Sequence, residues 1–567
     1  MRRALGLLVV FLSCVPPRQP AAPASTVAAF PAVWPHPTAP EARSPRGMIA
    51  SDAALGSEVG RAILARGGNA VDAAVATALA LAVVYPQAGN LGGGGFLVAR
   101  VQGQAYALDF REKAPAKVTS TMFARAEDAA IGHRSAGVPG SVAGLYEVHR
   151  RLGKKPWSEL VAPAIRLADE GFLINSELAT VLQQAKPLLE RSVESAALYL
   201  PHAIPLAEGT RLRNPALAAV LRRLSDQGPA GFYQGVTADL LVNDMMAHNG
   251  LLTHEDLKSY EAKWRPPLSF TYRGLTVLSM PPPSSGGVTL AMMLHILEGY
   301  ELRPLGWHSA VHVHLLAETM RRAYAARNRT LGDPDFVSNP LQELLSPTWA
   351  TKARSTIRLD RSTPSTDLAS SPEGEHTTHL SAVDADGNVV ALTTTVNAWF
   401  GSGITVPGAG FLLNNEMDDF AARPGQPNAF GLVQGTSNAI APGKRMLSSM
   451  TPTLVLDGSG HLVMALGAAG GPTITTAVLQ ILSNRVDFGF GLGQAVAAPR
   501  LHHQQFPDAV IVEASGFETW QIEGLKGRGH KVVERDHLAD APSIGVEGQV
   551  FLGAADVRRS GGLAIGP

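Results

Sequence analysis

Thr377 and Thr378 stand where a polar stretch, Ser355 to Glu375, gives way to alternating apolar residues. A threonine hydroxyl is a weak nucleophile and needs a base beside it. If the chain is cut before Thr377, the new α-amine, with a reference pKa of ~7.7–8.0, sits on the same residue as the hydroxyl. One residue then supplies both nucleophile and base, and no histidine is required. Taken alone, the dipeptide reads first as two β-branched residues opening an ordinary strand.

Two other groups invite a chemical reading. Gly89-Asn90-Leu91-Gly92-Gly93-Gly94-Gly95 has the glycine density of a phosphate cradle, but no lysine closes it and a strand pattern follows. Close backbone packing is the expected role. His308, His312, His314 and Glu318 could ligate a metal. The pairs His308/His312 and His314/Glu318 point to different helix faces, however, and no His-Glu-x-x-His occurs. Surface and packing roles are expected there, with no metal and no cofactor.

The elements that must position a threonine are legible as patterns. Ser51 or Asp52 is expected to cap a helix to about Arg66, stopped by Gly67-Gly68-Asn69. Ala70 to about Val84 is apolar nearly all round and must be deeply buried. Phe96–Val101 and Ala105–Phe110 read as paired strands, and Ser141–Leu152, Trp157–Glu170 and His308–Arg327 as helices in a mostly helical middle. Ser355–Glu375 reads as an exposed loop. His379–Asp384 and Val389–Val396, joined by Ala385-Asp386-Gly387-Asn388, form a hairpin. A loop thus runs straight into a buried strand at Thr377.

The chain has 567 residues, 48 basic and 48 acidic side chains, no formal net charge and 45% hydrophobic residues. That balance excludes a mainly disordered chain. It also gives no excess of cations for nucleic acid. The one cysteine, Cys14, excludes internal disulfides and cysteine metal sites. Arg2, Arg3 and the apolar run Ala4–Leu12 suit an export signal over residues 1–14. Cys14 matches a lipidation site, and cleavage near Ala22-Pro23-Ala24 without an anchor is the alternative. Residues 15–46 read as a Pro/Ala-rich tether, with folded chain from 47. An exported protein, periplasmic or secreted, is expected.

The wider constellation around Thr377 changes its reading. Thr377-Thr378-His379, Asp386-Gly387-Asn388, Thr395-Val396-Asn397, Phe400-Gly401-Ser402-Gly403, Leu413-Asn414-Asn415-Glu416-Met417-Asp418-Asp419-Phe420, Leu447-Ser448-Ser449-Met450-Thr451-Pro452 and Gly470-Gly471 occur in order. Earlier come Pro86-Gln87-Ala88-Gly89-Asn90, Asp109-Phe110-Arg111-Glu112 and Met280-Pro281-Pro282-Pro283-Ser284-Ser285-Gly286-Gly287. Together, over Met48 to Gly566, they resemble the γ-glutamyltransferases, also called glutathione hydrolases.

The resemblance implies an α+β fold of the N-terminal-nucleophile hydrolase type, a four-layer αββα sandwich. It implies a proenzyme that cleaves its own His376–Thr377 bond into a large subunit, 47–376, and a small one, 377–567, which stay together as a heterodimer. Thr377 would be the nucleophile and Thr395 its hydrogen-bonding assistant. Gly470 and Gly471 would supply oxyanion N–H groups, a role in which one lost donor costs ~10²–10³ in rate. Asn397, Glu416 and Asp419 would bind the donor, the two acids facing its α-ammonium. Arg111, Ser448 and Ser449 would hold its α-carboxylate. The implied substrates are glutathione and other γ-glutamyl compounds, with water, amino acids or peptides as acceptors. Phe430 stands in the loop Pro424–Gly435 where bacterial relatives often carry a lid tyrosine, and Met446 where a proline is common. A cephalosporin-type glutaryl acylase shares the implied fold but would accept donors lacking the α-ammonium. A catalytically silent binding relative would have lost Thr377, Thr395 or the glycine pair.

Overall fold

In a computed structural model, which describes residues 36–365 and 377–567, two seven-stranded antiparallel sheets lie face to face. The first runs, in spatial order, Leu563–Ile565, Gly47–Ser51, Thr378–Asp384, Val389–Thr395, Gly94–Val101, Gln104–Phe110 and Lys263–Arg265. The second runs Glu41–Ser44, Val550–Ala554, Ser543–Glu547, Leu462–Leu466, Thr453–Leu456, Leu275–Ser279 and Leu268–Tyr272. Helices Ala54–Ala65 and Ala70–Val84 cover the outside of the first sheet, and Gly286–Leu297 and Thr473–Val486 that of the second. This is the four-layer αββα sandwich.

Alternation along the strands builds both cores at once. Ile49, Leu97, Leu380 and Leu392 face the helices, while Met48, Ala50, Phe96, Val98, Val383 and Ala391 face the second sheet. A sheet covered on both faces reads as continuously apolar, as these strands do. Every residue of Ala70–Val84 is buried, and a reciprocal cap between Asn69 and Asp72 starts that helix.

Three expectations are corrected. Ser51 ends a strand and Asp52 turns to the strand that follows Thr377, so the first helix starts after Ala53 with no side-chain cap. Glu41–Ser44, inside the expected tether, pairs with Val550–Ala554 at the sheet edge. In the expected exposed loop, the described part up to Ser365 is tied down: Thr363 donates to Glu318 at 3.0 and 2.6 Å, and Ser365 N–H donates to Asp508 at 2.7 Å. The expected leader with Cys14, and His376, lie outside the described residues.

The glycine run has the close-packing role. A Cβ on Gly93 would collide with the Thr395 carbonyl on the neighbouring strand, whereas one on Gly387, at the hairpin turn with φ +76°, would meet nothing within 4 Å. Gly93→Ala is therefore expected to cost about 1–3 kcal/mol or more through overpacking, and to lower activity by shifting Thr395. Gly387→Ala should cost only about 1–2 kcal/mol, from backbone strain. Denaturant unfolding and turnover of the two variants check this ordering, and equal effects at both positions would contradict it.

Candidate active site

Thr377 immediately precedes a strand hydrogen-bonded on both sides. The register pairs Thr378 with Thr394, so one step outward sets Thr377 opposite Thr395. The Asp52 carboxylate fixes this strand end, accepting from Thr378 Oγ1 at 2.8 Å and from the His379 N–H at 3.0 Å. Burial, reinforced by Asp540, pushes the Asp52 carboxyl up, with Thr378 and His379 pulling the other way. Asn397 takes a left-handed backbone, φ +76°. Its N–H donates to Thr395 Oγ1 at 2.8 Å and its Nδ2 to the Asn415 carbonyl at 3.0 Å, which hold that conformation.

Thr377 and Thr395 line a cavity of about 20 Å³ together with Arg111, Asn397, Asp419, Ser448, Ser449 and Gly471. That is room for about one water. Phe430 and Leu432 close it, so the loop Pro424–Gly435 does lie over the pocket and must shift to admit an amino-acid head group. Phe430 packs on Tyr324, whose hydroxyl donates to the Pro472 carbonyl. The lid is thereby tied to the segment carrying Gly470 and Gly471. Those glycines have φ +134° and +55° and lie directly ahead of the helix Thr473–Val486. Their N–H groups thus sit at the positive end of a helix dipole, suited to a developing oxyanion.

The charged pole differs from a simple fork. Arg111, fully buried, contacts Glu112 at 3.3 Å, Glu416 at 2.8 Å and Asp419, and donates to the Met446 carbonyl at 3.3 Å. The Glu416 contact is close but not aligned as a hydrogen bond, and neither Glu416 oxygen nor Glu112 Oε1 has a hydrogen-bond partner. Burial works against the Arg111 charge, but Glu416, Asp419 and Glu112 outweigh it and hold the guanidinium protonated. Burial pushes the Glu112 carboxyl up to about 7 against the pull of Arg111, and pushes Glu416 well up also. Three carboxyl groups thus surround one cation, and burial favours the neutral form of two of them. Asp109, from the same sequence motif, turns away to Arg265 at 2.8 Å and Arg445 at 3.4 Å.

The sequence reading missed four groups at or behind this pocket. Glu112 enters the sequence only as part of a motif, and Asp52, like Ser51, as a candidate helix cap. Arg327 and Gln434 carry no local signal. Arg327 lies in the buried helix Ala310–Thr330, and its Nη1 donates to Gln434 Oε1 at 2.9 Å. The four residues weighed as metal ligands are all buried, which leaves packing of the two roles expected for them. His308 stacks between Trp307 and Phe517. His314 bonds His530 at 2.7 Å and the Arg358 carbonyl at 2.7 Å, while Glu318 binds Arg321, Arg322 and Thr363. A further group, His133, Asp244 and His248, lies beside a surface cavity of about 850 Å³. Its two rings stack at 4.5 Å, and each turns a nitrogen to the Asp244 carboxylate, at 3.0 and 3.1 Å.

A threonine heading a central strand, between two stacked sheets flanked by helices, defines the class of N-terminal-nucleophile hydrolases. The sequence profile of the γ-glutamyltranspeptidase family matches residues 56–566, and the chain belongs to that family. It is 42% identical over 541 residues to a "Glutathione hydrolase proenzyme" of Pseudomonas sp. strain A14, covering 92% of this chain and 94% of that one. The Escherichia coli K12 protein of the same name is 42% identical over 539 residues, with 92% of each chain covered. Among solved structures, a cephalosporin acylase from Bacillus halodurans matches with a TM-score of 0.83 at 27% identity, over 94% of this chain and 98% of that one.

The raised Glu112 carboxyl has a stability consequence. Between its ordinary 4.5 and about 7 the unfolded chain has lost that proton and the folded one has kept it. Folding stability from this group therefore falls as pH rises through that window. Glu112→Gln should remove the fall, so wild type loses stability relative to the variant between pH 4.5 and about 7. A difference between the two unfolding free energies that does not change with pH would contradict the assignment.

Proposed function

We propose that this protein cleaves itself before Thr377 and then transfers γ-glutamyl groups from glutathione and related amides to water or to an amino-acid or peptide acceptor. Support comes first from one observation: Thr377, 6% exposed at the head of a strand, faces Thr395 in the same cavity as Gly471, Asp419 and Ser449. The "Glutathione hydrolase proenzyme" relatives point to the same substrates and the same processing.

In the first half-reaction the Thr377 α-amine takes the hydroxyl proton as the oxygen attacks the donor's side-chain carbonyl. Gly470 and Gly471 N–H groups stabilise the tetrahedral oxyanion. Collapse expels the amine, which regains a proton, and leaves a γ-glutamyl ester on Thr377. Water or an acceptor amine then attacks that ester, giving ping-pong kinetics. Thr395 orients the Thr377 hydroxyl. Asn397, Glu416 and Asp419 serve the α-ammonium end, and Arg111, Ser448 and Ser449 the carboxylate end. The large and small subunits, 47–376 and 377–567, remain together because strands from both lie side by side in the first sheet. Export belongs to the same proposal, either with Cys14 as a lipid anchor or with cleavage near Ala22-Pro23-Ala24 and no anchor. Among the described residues no helix is long and apolar enough to cross a membrane.

The acylase neighbour keeps a glutaryl donor in view as a second reading. Asp419, which lines the cavity, offers an acceptor for an α-ammonium that a glutaryl donor lacks, and this favours the γ-glutamyl reading.

Intact mass under denaturing conditions tests the processing. Wild type should give two fragments split before Thr377, and Thr377→Ala one uncut chain. Wild type should also cleave γ-glutamyl-p-nitroanilide in preference to glutaryl-p-nitroanilide. An uncut, inactive wild type would remove the nucleophile, and a glutaryl preference would put the acylase reading first.

A further inference from the structure

Away from the Thr377 pocket, one carboxylate is buried without a fixed cation. The Asp244 side chain is 4% exposed, and among the described residues its ion-pair partners are two histidines, with no lysine or arginine. His133 Nε2 lies 3.0 Å from Asp244 Oδ2. His248 Nδ1 lies 3.1 Å from Oδ1 and 3.0 Å from the Asp244 carbonyl oxygen. Buried charges are ordinarily paired or hold a metal. A neutral imidazole gives the carboxylate a hydrogen bond without cancelling its charge. One nitrogen of each ring and a carboxylate oxygen all lie within 4.8 Å of one another.

The backbone builds this arrangement. Asp244 and His248 are an i,i+4 pair at the end of the helix Gly235–Ala247, and so share one face. Asn249, φ +56°, turns the chain out of the helix, and Gly250 then passes close to His133: a Cβ on it would come 3.1 Å from the His133 Cβ. The three side chains meet at the negative, C-terminal end of the helix dipole, where a cation is favoured. All three line the surface cavity of about 850 Å³, so an ion can enter and keep water on its open side. The rings now stack, but the His248 side chain is 56% exposed and can swing off the stack to turn a lone pair onto a shared ion.

We propose that His133, Asp244 and His248 form a binding site for a divalent transition-metal ion of the zinc, nickel or copper class, with water completing its coordination. Two imidazoles and one carboxylate suit such ions, whereas magnesium and calcium prefer shells of oxygen alone. The site is independent of the γ-glutamyl chemistry, but it touches the frame of the pocket. The stretch leading to His133 includes Ala130, whose carbonyl accepts from Asn415 Nδ2 at 2.9 Å, next to Glu416. A bound ion therefore braces the segment carrying Glu416 and Asp419 against the helix Gly235–Ala247.

Isothermal titration calorimetry of the untagged, chelator-treated protein tests this, with ZnCl2, NiCl2 and MgCl2 as probes at pH ~7.5, where imidazoles are neutral. Wild type should bind one equivalent of Zn²⁺ with a Kd of about 1–10 μM, and Ni²⁺ in competition with it, while Mg²⁺ gives no saturable heat. The His133→Ala, His248→Ala double variant should weaken Zn²⁺ about a hundredfold, and Asp244→Asn about tenfold or more. Both histidines reach the cavity surface, so the double variant keeps the core intact. Co²⁺ substituted at the site should give the visible absorption of a four- or five-coordinate ion in wild type and not in the double variant. A wild type without a saturable Zn²⁺ site would overturn the proposal. So would a double variant that keeps the same affinity, which would put the ion on other residues.

Discussion

A threonine whose amine and hydroxyl must both face one pocket cannot head a strand that is free to slip. A slip of one residue would turn every side chain of Thr378–Asp384 to the other face. Pairing on both sides, with Gly47–Ser51 and Val389–Thr395, forbids that. Asp52 adds a clamp at the first two residues of the strand. The glycine run lets the next strand approach closely enough for Thr395 to hold its place opposite Thr377. Much of the sandwich is a device for keeping that register.

Charge is arranged around the register with equal economy. A pocket for a zwitterion needs both signs out of water, and each must stay oriented while the pocket is closed. The protein gathers Glu112, Glu416 and Asp419 on Arg111. Arg327 lies among neutral oxygens, Ser449 Oγ one of them. The lid residues Phe430 and Gln434 reach both the Gly470–Gly471 segment, through Tyr324, and Arg327. The loop over the pocket is therefore joined both to the glycine segment and to Arg327.

Strong periodicity and the order of motifs made a good part of this legible beforehand. The all-apolar Ala70–Val84 could only be a buried helix, and the Asp386-Gly387 turn could only join a hairpin. Thr377, Thr395, Asn397, Asp419, Ser448, Ser449, Arg111 and Gly471 do come together around one cavity. What was illegible depended on distant partners. Asp52 looks like a helix cap from its neighbours and is claimed by a strand more than three hundred residues away. Arg327 sits in a long helix whose burial on nearly every side leaves no face to mark it as special. For the nearby histidines the local pattern leaves surface and packing roles both open, and distant partners settle it: His530 against His314, and Phe517 against His308 just ahead of the helix.

The central claim is that the acyl group passes through an ester on Thr377. Acid quenching during steady turnover of a γ-glutamyl donor, followed by intact mass and peptide mapping, tests it most directly. The account predicts that the 377–567 fragment gains the mass of one γ-glutamyl group, carried by the peptide that begins at Thr377 and absent from a Thr377→Ala control. Turnover with no adduct on that peptide, or with the adduct on another residue, would contradict it.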